Sequence, residues 1–339
     1  MTTLVRHPAT VWLAASALLT LILVTAFAVG KFPVPPGDLL RSLGAHLSGN
    51  GSGLSEAAET VIWNIRLPRI AAGGLVGAVL AAAGAAYQGM FRNPLVSPDI
   101  LGVSSGAGLG AVLGIYLGLP LALVQGLAFL GGLAAVGIVY KIAGLVQRHD
   151  PVLVLVLAGV ALGSLLGAGI SLIKILADPY TQLPSITFWL LGGLNSVTTD
   201  EIAVTAPAML IGLVPMFLLR WRFNLLSLAD EEASALGVDV IRLRLILVAS
   251  ATLSTAAAVS LAGIVGWIGL VIPHVARLLV GPNFSRLLPA SLMLGAGFLV
   301  ATDTLARTVA TIELPLGLLT ALVGAPFFLF LLARTGRAA

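Results

Sequence analysis

The sequence predicts an all-α, polytopic membrane protein with about ten transmembrane helices in a single transmembrane domain over residues 1–339. Composition is the first reason. Hydrophobic residues make up 58% of the chain and charged residues 9%, where soluble domains carry roughly 25% charge. The second reason is the length of the apolar blocks: several, such as Ile202–Leu219 and Leu245–Val265, reach the roughly 17–25 residues that cross a bilayer's hydrocarbon layer. The third is the 39 glycines, which with abundant alanine suit helices that pack closely in lipid. The chain has no cysteine, which excludes disulfides, a thiol nucleophile and a thiolate metal site. Its net charge of +4 does not point to nucleic acid, because basic residues in a membrane protein mark the cytoplasmic side.

The first span is Val11–Val29, behind Arg6 and His7. Ala26-Phe27-Ala28 looks like a cleavage site, but the run is long for a signal peptide and is read as an uncleaved helix. Residues 31–60 form an external loop rich in turn residues, with a short amphipathic helix near Asp38–His46. Arg66-Leu67-Pro68-Arg69 opens the second span, Ile70–Met90, in which Gly73 and Gly77 form a GxxxG pair that admits another helix. Phe91–Gly108 breaks the pattern, because Pro94 and Pro98 end helices. Such backbone survives at membrane depth only where protein covers it or it lines a water-filled cavity. A third span runs to about Leu117 and a fourth over Leu121–Ile142. A polar turn with Arg148, His149 and Asp150 leads to the fifth, Val152–Leu176, whose many small residues suit close packing or a pore wall. Ala177–Thr199 is a second outer segment with a half-buried short helix around Trp189. The remaining spans are Ile202–Leu219, Leu245–Val265, a short Gly266–Gly281 interrupted by Pro273, Leu288–Thr304 and Leu316–Leu332.

Arg220–Arg244 holds 8 of the 32 charged residues and reads as a cytoplasmic loop over residues 220–244. A short helix spans Ser227–Val238. Ser227 caps it, Asp230 and Glu231 favour its positive N-terminal end, and Gly237 ends it. Leu226, Leu228, Ala233, Leu236 and Val238 give it an apolar face, and an open apolar face beside charge marks a protein contact. With ten segments both termini lie on the side of this loop. That side carries 12 Lys and Arg residues against 6 on the other, which makes it cytoplasmic. Segments 2–5 and 7–10 each open with an Ala/Gly-rich span followed by a Pro-containing break. The first set descends and the second ascends, as in an inverted repeat.

Taken together, RLPR, the following AAGGLVGAVLAAAGAAYQGMFRNPLVSPDILGVSSGAG, LAGVALG, ITFWLLGG, LADEEASALGV, GWIGLVIPHVAR, TDTLART and ELPLGLLTALVGAPFFLFLL resemble the FecCD-type permeases. These are membrane subunits of ABC importers for iron chelates, haem and vitamin B12. The likeness runs from about residue 60 to 335, with the motifs in family order. It implies a homodimer or a pair of like subunits, a substrate path between them, two ATPase subunits below, and a periplasmic or lipid-anchored substrate-binding protein above. Further implications of the resemblance concern individual residues. Arg66, Arg69 and Arg307 would receive acidic residues of the binding protein. Leu228, Asp230, Glu231, Ala233, Leu236, Gly237 and Val238 would contact the ATPase. Asn93, Leu95 and the turn near Asp150–Val152 would form the cytoplasmic gate. Composition, rather than the resemblance, leads to the expectation that Gly163, Gly167 and Ser171 on the glycine-rich fifth span line the path.

Several of these residues also have plain readings. Arginines snorkel at helix ends, and charge runs are usually solvated. His274 lies alone beside Pro273 and Arg277 and reads as a hydrogen-bonding residue rather than a ligand. Lys174, Asp99 and Asp303 sit near span ends, and Asp303 has an i,i+4 partner in Arg307. The chain contains no GxxxxGK[ST], HExxH or GxSxG. It is therefore read as a transport subunit and not an enzyme, with no cofactor of its own and with ATP and Mg bound by the partner ATPase. The expected activity is ATP-driven alternating access that moves an iron-siderophore, haem or cobalamin-type chelate across the cytoplasmic membrane. Some relatives carry metal oxyanions. The alternative is an ion-gradient-driven secondary transporter, which would place a carboxylate mid-span.

Overall fold

The computed structural model describes residues 8–49, 51–146 and 151–335. They form α1 (Pro8–Ala28), α2 (Pro36–Ser48), α3 (Glu56–Thr60), α4 (Leu67–Met90), α5 (Val103–Tyr116), α6 (Leu121–Leu145), α7 (Pro151–Leu176), α8 (Gln182–Leu191), α9 (Thr199–Leu218), α10 (Arg220–Phe223), α11 (Asp230–Ala235), α12 (Val240–Ala262), α13 (Ile268–Val280), α14 (Phe284–Ala306) and α15 (Leu316–Thr335). A π-helical turn, Val61–Arg66, joins α3 to α4, so the second span is one helical run from Glu56. The external loop is correspondingly shorter than 31–60. Among the described residues seven helical runs are long and apolar enough to cross a membrane, and α5, α13 and α15 are shorter apolar helices. These are the ten expected membrane segments; α2 and α8 are the two expected short outer helices.

Helices α4 and α12 are apolar and buried on nearly every side, as helices without a polar face must be. They occupy the centre. Helix α4 packs on α12, α13 and α14, and α12 packs on α4, α5, α6 and α9. The approach of α4 to α14 depends on glycine. A Cβ on Gly77 would strike the carbonyl oxygen of Gly295, while Gly73 meets the Leu194 side chain and Val300.

The expected inverted repeat is present in the packing. Helix α5 packs on α6 as α13 packs on α14, and α4 packs on α13 and α14 as α12 packs on α5 and α6. Direction supports the inversion. Helix α4 carries Arg69 in its first turn and ends beside Arg92, whose guanidinium shares Asp230 with Arg244 at the start of α12. Thus α12 starts where α4 finishes. Helices α5 and α13 have 14 and 13 residues, about 20 Å each, too short for a layer of about 30 Å. Each follows a break, and the breaks meet: Gln88 donates to the carbonyls of Gly269 and Leu270, and Pro98 packs on Gly269. In the first break Val96, Pro98 and Leu101 are buried, while Arg92–Leu95 are exposed at the end of α4.

Candidate coupling and docking sites

At the Arg92 face the chain between α9 and α12 is compact. Arg220 lies over the Phe217 ring, 4.1 Å from its centroid. After α10 a 3₁₀ turn, Asn224–Ser227, buries Leu226. Leu228 and Ala229 are then extended, which re-aims the chain before α11. The helix covers Asp230–Ala235 and is shorter than the expected Ser227–Val238. Ser227 does not cap it, because its hydroxyl donates to the Asn224 carbonyl at 2.6 Å. The N-terminal contact comes from Glu232, whose carboxylate accepts the Ala229 N–H at 3.4 Å. The expected stop holds: Gly237 has φ +81°, and the N–H groups of Gly237 and Val238 return to the carbonyls of Ser234 and Ala233, a Schellman closure.

The expected open apolar face is mostly turned inward. Leu226 and Ala233 are fully buried, and Leu228 and Val238 are partly covered. Only Leu236, 62% exposed, stands out as a large apolar side chain, beside exposed Glu231 and Glu232. The reason is an anchor that a linear reading does not reveal. Asp230 accepts from Arg92 Nη2 at 2.7 Å and from Arg244 Nη2 at 3.3 Å, and Arg92 Nε donates to the Leu226 carbonyl at 2.8 Å. Asp230 thus ties the loop to the end of α4 and the start of α12.

The gate candidates lie close by. Asn93 Oδ1 accepts the Leu95 N–H at 2.9 Å, which holds the turn after α4, and Leu95 is 47% exposed. Val152 is partly buried against the main core cluster at the start of α7. Asp150, the rest of that gate turn, lies outside the described residues. On α7, Gly163 faces Ser105 of α5, a Cβ on Gly167 would meet open space, and the Ser171 hydroxyl is exposed and donates to the Gly167 carbonyl.

At the opposite face the three arginines are brought together, but they are covered. Arg66, Arg69 and Arg307 are 4%, 7% and 9% exposed. Arg69 Nε lies 2.8 Å from both Asp303 oxygens, and its Nη1 donates to Glu313 at 2.9 Å. Asp303 therefore pairs chiefly with Arg69, and its i,i+4 contact with Arg307 is longer, at 3.9 Å. Arg66 donates to the carbonyls of Phe27 and Phe32, and Arg307 to that of Ala26. The last turn of α1 offers unsatisfied carbonyls and a partial negative charge, which attracts cations. The turn at Gly30 closes over both guanidinium groups, and a Cβ there would meet them at 2.6 and 2.9 Å. The three docking candidates are thus held within the protein, by carboxylates and backbone carbonyls. Beside them lies a cavity of about 520 Å³, lined by Arg69, Gln125, Trp189, Asn195, Glu201 and Glu313. Sequence reasoning missed Glu313. Its position just ahead of the tenth span was the available signal.

The model of the FecCD transport family matches residues 18–334. The chain belongs to this family. The permease is 44% identical over 281 residues to the cobalamin import system permease protein BtuC of Halobacterium salinarum, an alignment covering 83% of this chain and 75% of that protein. It is 43% identical to an iron chelatin transport system permease protein of Helicobacter pylori, covering 81% and 83%. A solved metal-chelate type ABC transporter in an inward-facing conformation superposes with a TM-score of 0.86 at 33% identity, covering 97% of this chain and all of that one. The protein is thus a multi-pass permease subunit of an ABC importer, a transport component and not itself an enzyme.

Proposed function

We propose that this permease passes a metal chelate of the siderophore, haem or cobalamin type through the cytoplasmic membrane by ATP-driven alternating access. The Arg92 face and both termini are cytoplasmic, as the 12-to-6 distribution of Lys and Arg supports. The observation that carries the reading is the Asp230 anchor. A short acidic helix with one exposed leucine is fixed by charge to both central helices. A pull on α11 therefore acts on α4 and α12 together. Glu231, Leu236 and Gly237 form the ATPase contact; Leu228, Asp230, Ala233 and Val238 hold that contact to the bundle. ATP and Mg belong to the partner subunits. Asn93, Leu95 and Val152 close the inner end, and the path runs along Gly163, Gly167 and Ser171. The chelates carried by the relatives support the substrate class, and the inward-facing relative supports the same state for this structure.

A second copy completes the path, with the open face of α7 turned toward it. The substrate-binding protein docks at the opposite mouth. Its carboxylates replace the groups that now hold the arginines, beginning with Glu313, whose side chain is 36% exposed against Arg69. The absence of native cysteine makes the test clean. Leu236→Cys should crosslink to a single-cysteine ATPase subunit, and uptake should stop with vanadate while surviving an uncoupler. No crosslink, or uptake lost only to the uncoupler, would favour the gradient-driven alternative.

A further inference from the structure

A second cavity, of about 650 Å³, opens at the Arg92 face between the ends of α4, α10, α13 and α14. We propose that it holds the phosphodiester headgroup of one anionic phospholipid. Arg277 carries the argument. Its Nη2 donates to Gln88 Oε1 at 3.0 Å. Gln88 is only 2% exposed, and its amide NH₂ is committed to the carbonyls of Gly269 and Leu270, so its oxygen is held toward Arg277. Among the described residues no carboxylate lies within ion-pair distance of Arg277. Arg92 also lines the cavity and shares a single carboxylate, Asp230, with Arg244. The wall therefore carries surplus positive charge in a rigid setting. Asn93 adds an amide donor, since its oxygen is occupied by the Leu95 N–H. Planar guanidinium forks suit a phosphate.

The surroundings point to a lipid. The residues after Arg277 are Leu278 and Leu279, 57% and 50% exposed on α13. Trp221, 68% exposed, stands between Arg220 and Arg222. Exposed tryptophan with flanking arginines marks the interfacial zone of a bilayer. A headgroup in the cavity has acyl chains lying along the two leucines. Basic pockets between membrane helices on the cytoplasmic side take anionic headgroups in this way. The assignment to the cytoplasmic leaflet rests on the orientation proposed above; the chemistry of the pocket does not.

The test uses the full chain in neutral detergent, titrated with phosphatidylglycerol, phosphatidylcholine or sodium glycerophosphate. Native mass spectrometry counts bound lipid and thermal unfolding reads its effect. One phosphatidylglycerol per chain should bind in preference to phosphatidylcholine. Arg277→Gln should weaken it about fivefold, the loss expected for one cationic contact at a membrane surface. Arg242→Gln, at a side chain 78% exposed outside the cavity, should leave it unchanged. If Arg277→Gln does not fold, Asn93→Asp adds a negative charge to the same wall and should also weaken binding. Equal binding of the two lipids overturns the proposal, as does an equal response to Arg277→Gln and Arg242→Gln. A response to glycerophosphate alone matching that to the lipid also overturns it, in favour of a soluble anion. Micelles have no sidedness, so an error in the proposed orientation cannot mimic any of these results.

Discussion

Removing the Asp230 carboxylate separates anchoring from folding. In Asp230→Ala two guanidinium groups lose one shared acceptor. Arg92 is 41% exposed and Asp230 47% exposed, so water screens that pair and its loss costs about 0–1 kcal/mol. Arg244 is different, because its side chain is 10% exposed and its Nε already lacks a partner. Losing a charge-assisted bond there costs about 1.5–3 kcal/mol. The sum, roughly 1.5–4 kcal/mol, loosens α11 from α4 and α12 without opening the core around Leu226 and Ala233. If the anchor transmits the ATPase stroke, a coupling loss of about 2 kcal/mol reduces transport per ATP about 30-fold. The assay is chelate uptake and ATP hydrolysis in the same proteoliposomes containing permease, ATPase and binding protein. Hydrolysis should continue while uptake falls. The control is Asp239→Asn, whose pair with Arg242 is exposed on both sides at 57% and 78%, and which should stay within about twofold of wild type. A lowered melting temperature with unchanged uptake per ATP would refute the reasoning, because Asp230 would then be structural only.

Three further outcomes follow from the packing. Gly77→Val should cost more than the roughly 1–3 kcal/mol of ordinary overpacking, since its Cβ strikes the Gly295 backbone; the melting temperature in detergent reads this. Gly167→Ala meets nothing within 4 Å and should leave that temperature unchanged, so equal effects at both positions would contradict the arrangement. Arg69→Met strands Asp303, whose side chain is 3% exposed, and should cost about 3–5 kcal/mol, while adding Asp303→Leu should recover most of the loss.

The ten segments were legible because bilayer thickness forces a minimum length of apolar sequence, and the breaks because Pro94 and Pro98 interrupt it. Gly237 was legible as a helix stop for a local reason: a left-handed residue after a short helix suits glycine. Pairs distant in sequence are what the linear pattern does not reveal. Asp303 does pair with Arg307, four residues away, but its shorter contact is with Arg69, 234 residues back in the chain, which local spacing cannot show. Nothing in Leu226–Val238 announces that Arg92 and Arg244 will pull the apolar face of α11 inward. The burial of Arg66 and Arg307 is not readable from sequence because the groups that cover them are backbone carbonyls of residues 26, 27 and 32, and carbonyls have no sequence signature.

One helix joins the two candidate sites. Helix α4 has Arg69 in its first turn and Arg92 two residues beyond its last, some 23 positions apart, or about 35 Å at 1.5 Å per residue. Its interior is small and tightly enclosed: alanines 81–83, 85 and 86 are fully buried, and glycine carbonyls of α13 and α14 press on Gly84 and Gly77. Such a rod does not bend readily, because close-packed interiors transmit displacement rather than absorb it. A shift imposed at Asp230 therefore reaches Arg69 and its partners Asp303 and Glu313 as a movement of the whole helix. Helix α12 runs the other way from the same anchor, so the two halves of the repeat are tilted together. In the proposed mechanism, hydrolysis at one face and release of the binding protein at the other would be coupled through Arg92 and Arg69 on a single element. Gly84→Leu, which would force α4 away from α13, should disturb both events even though it touches neither site.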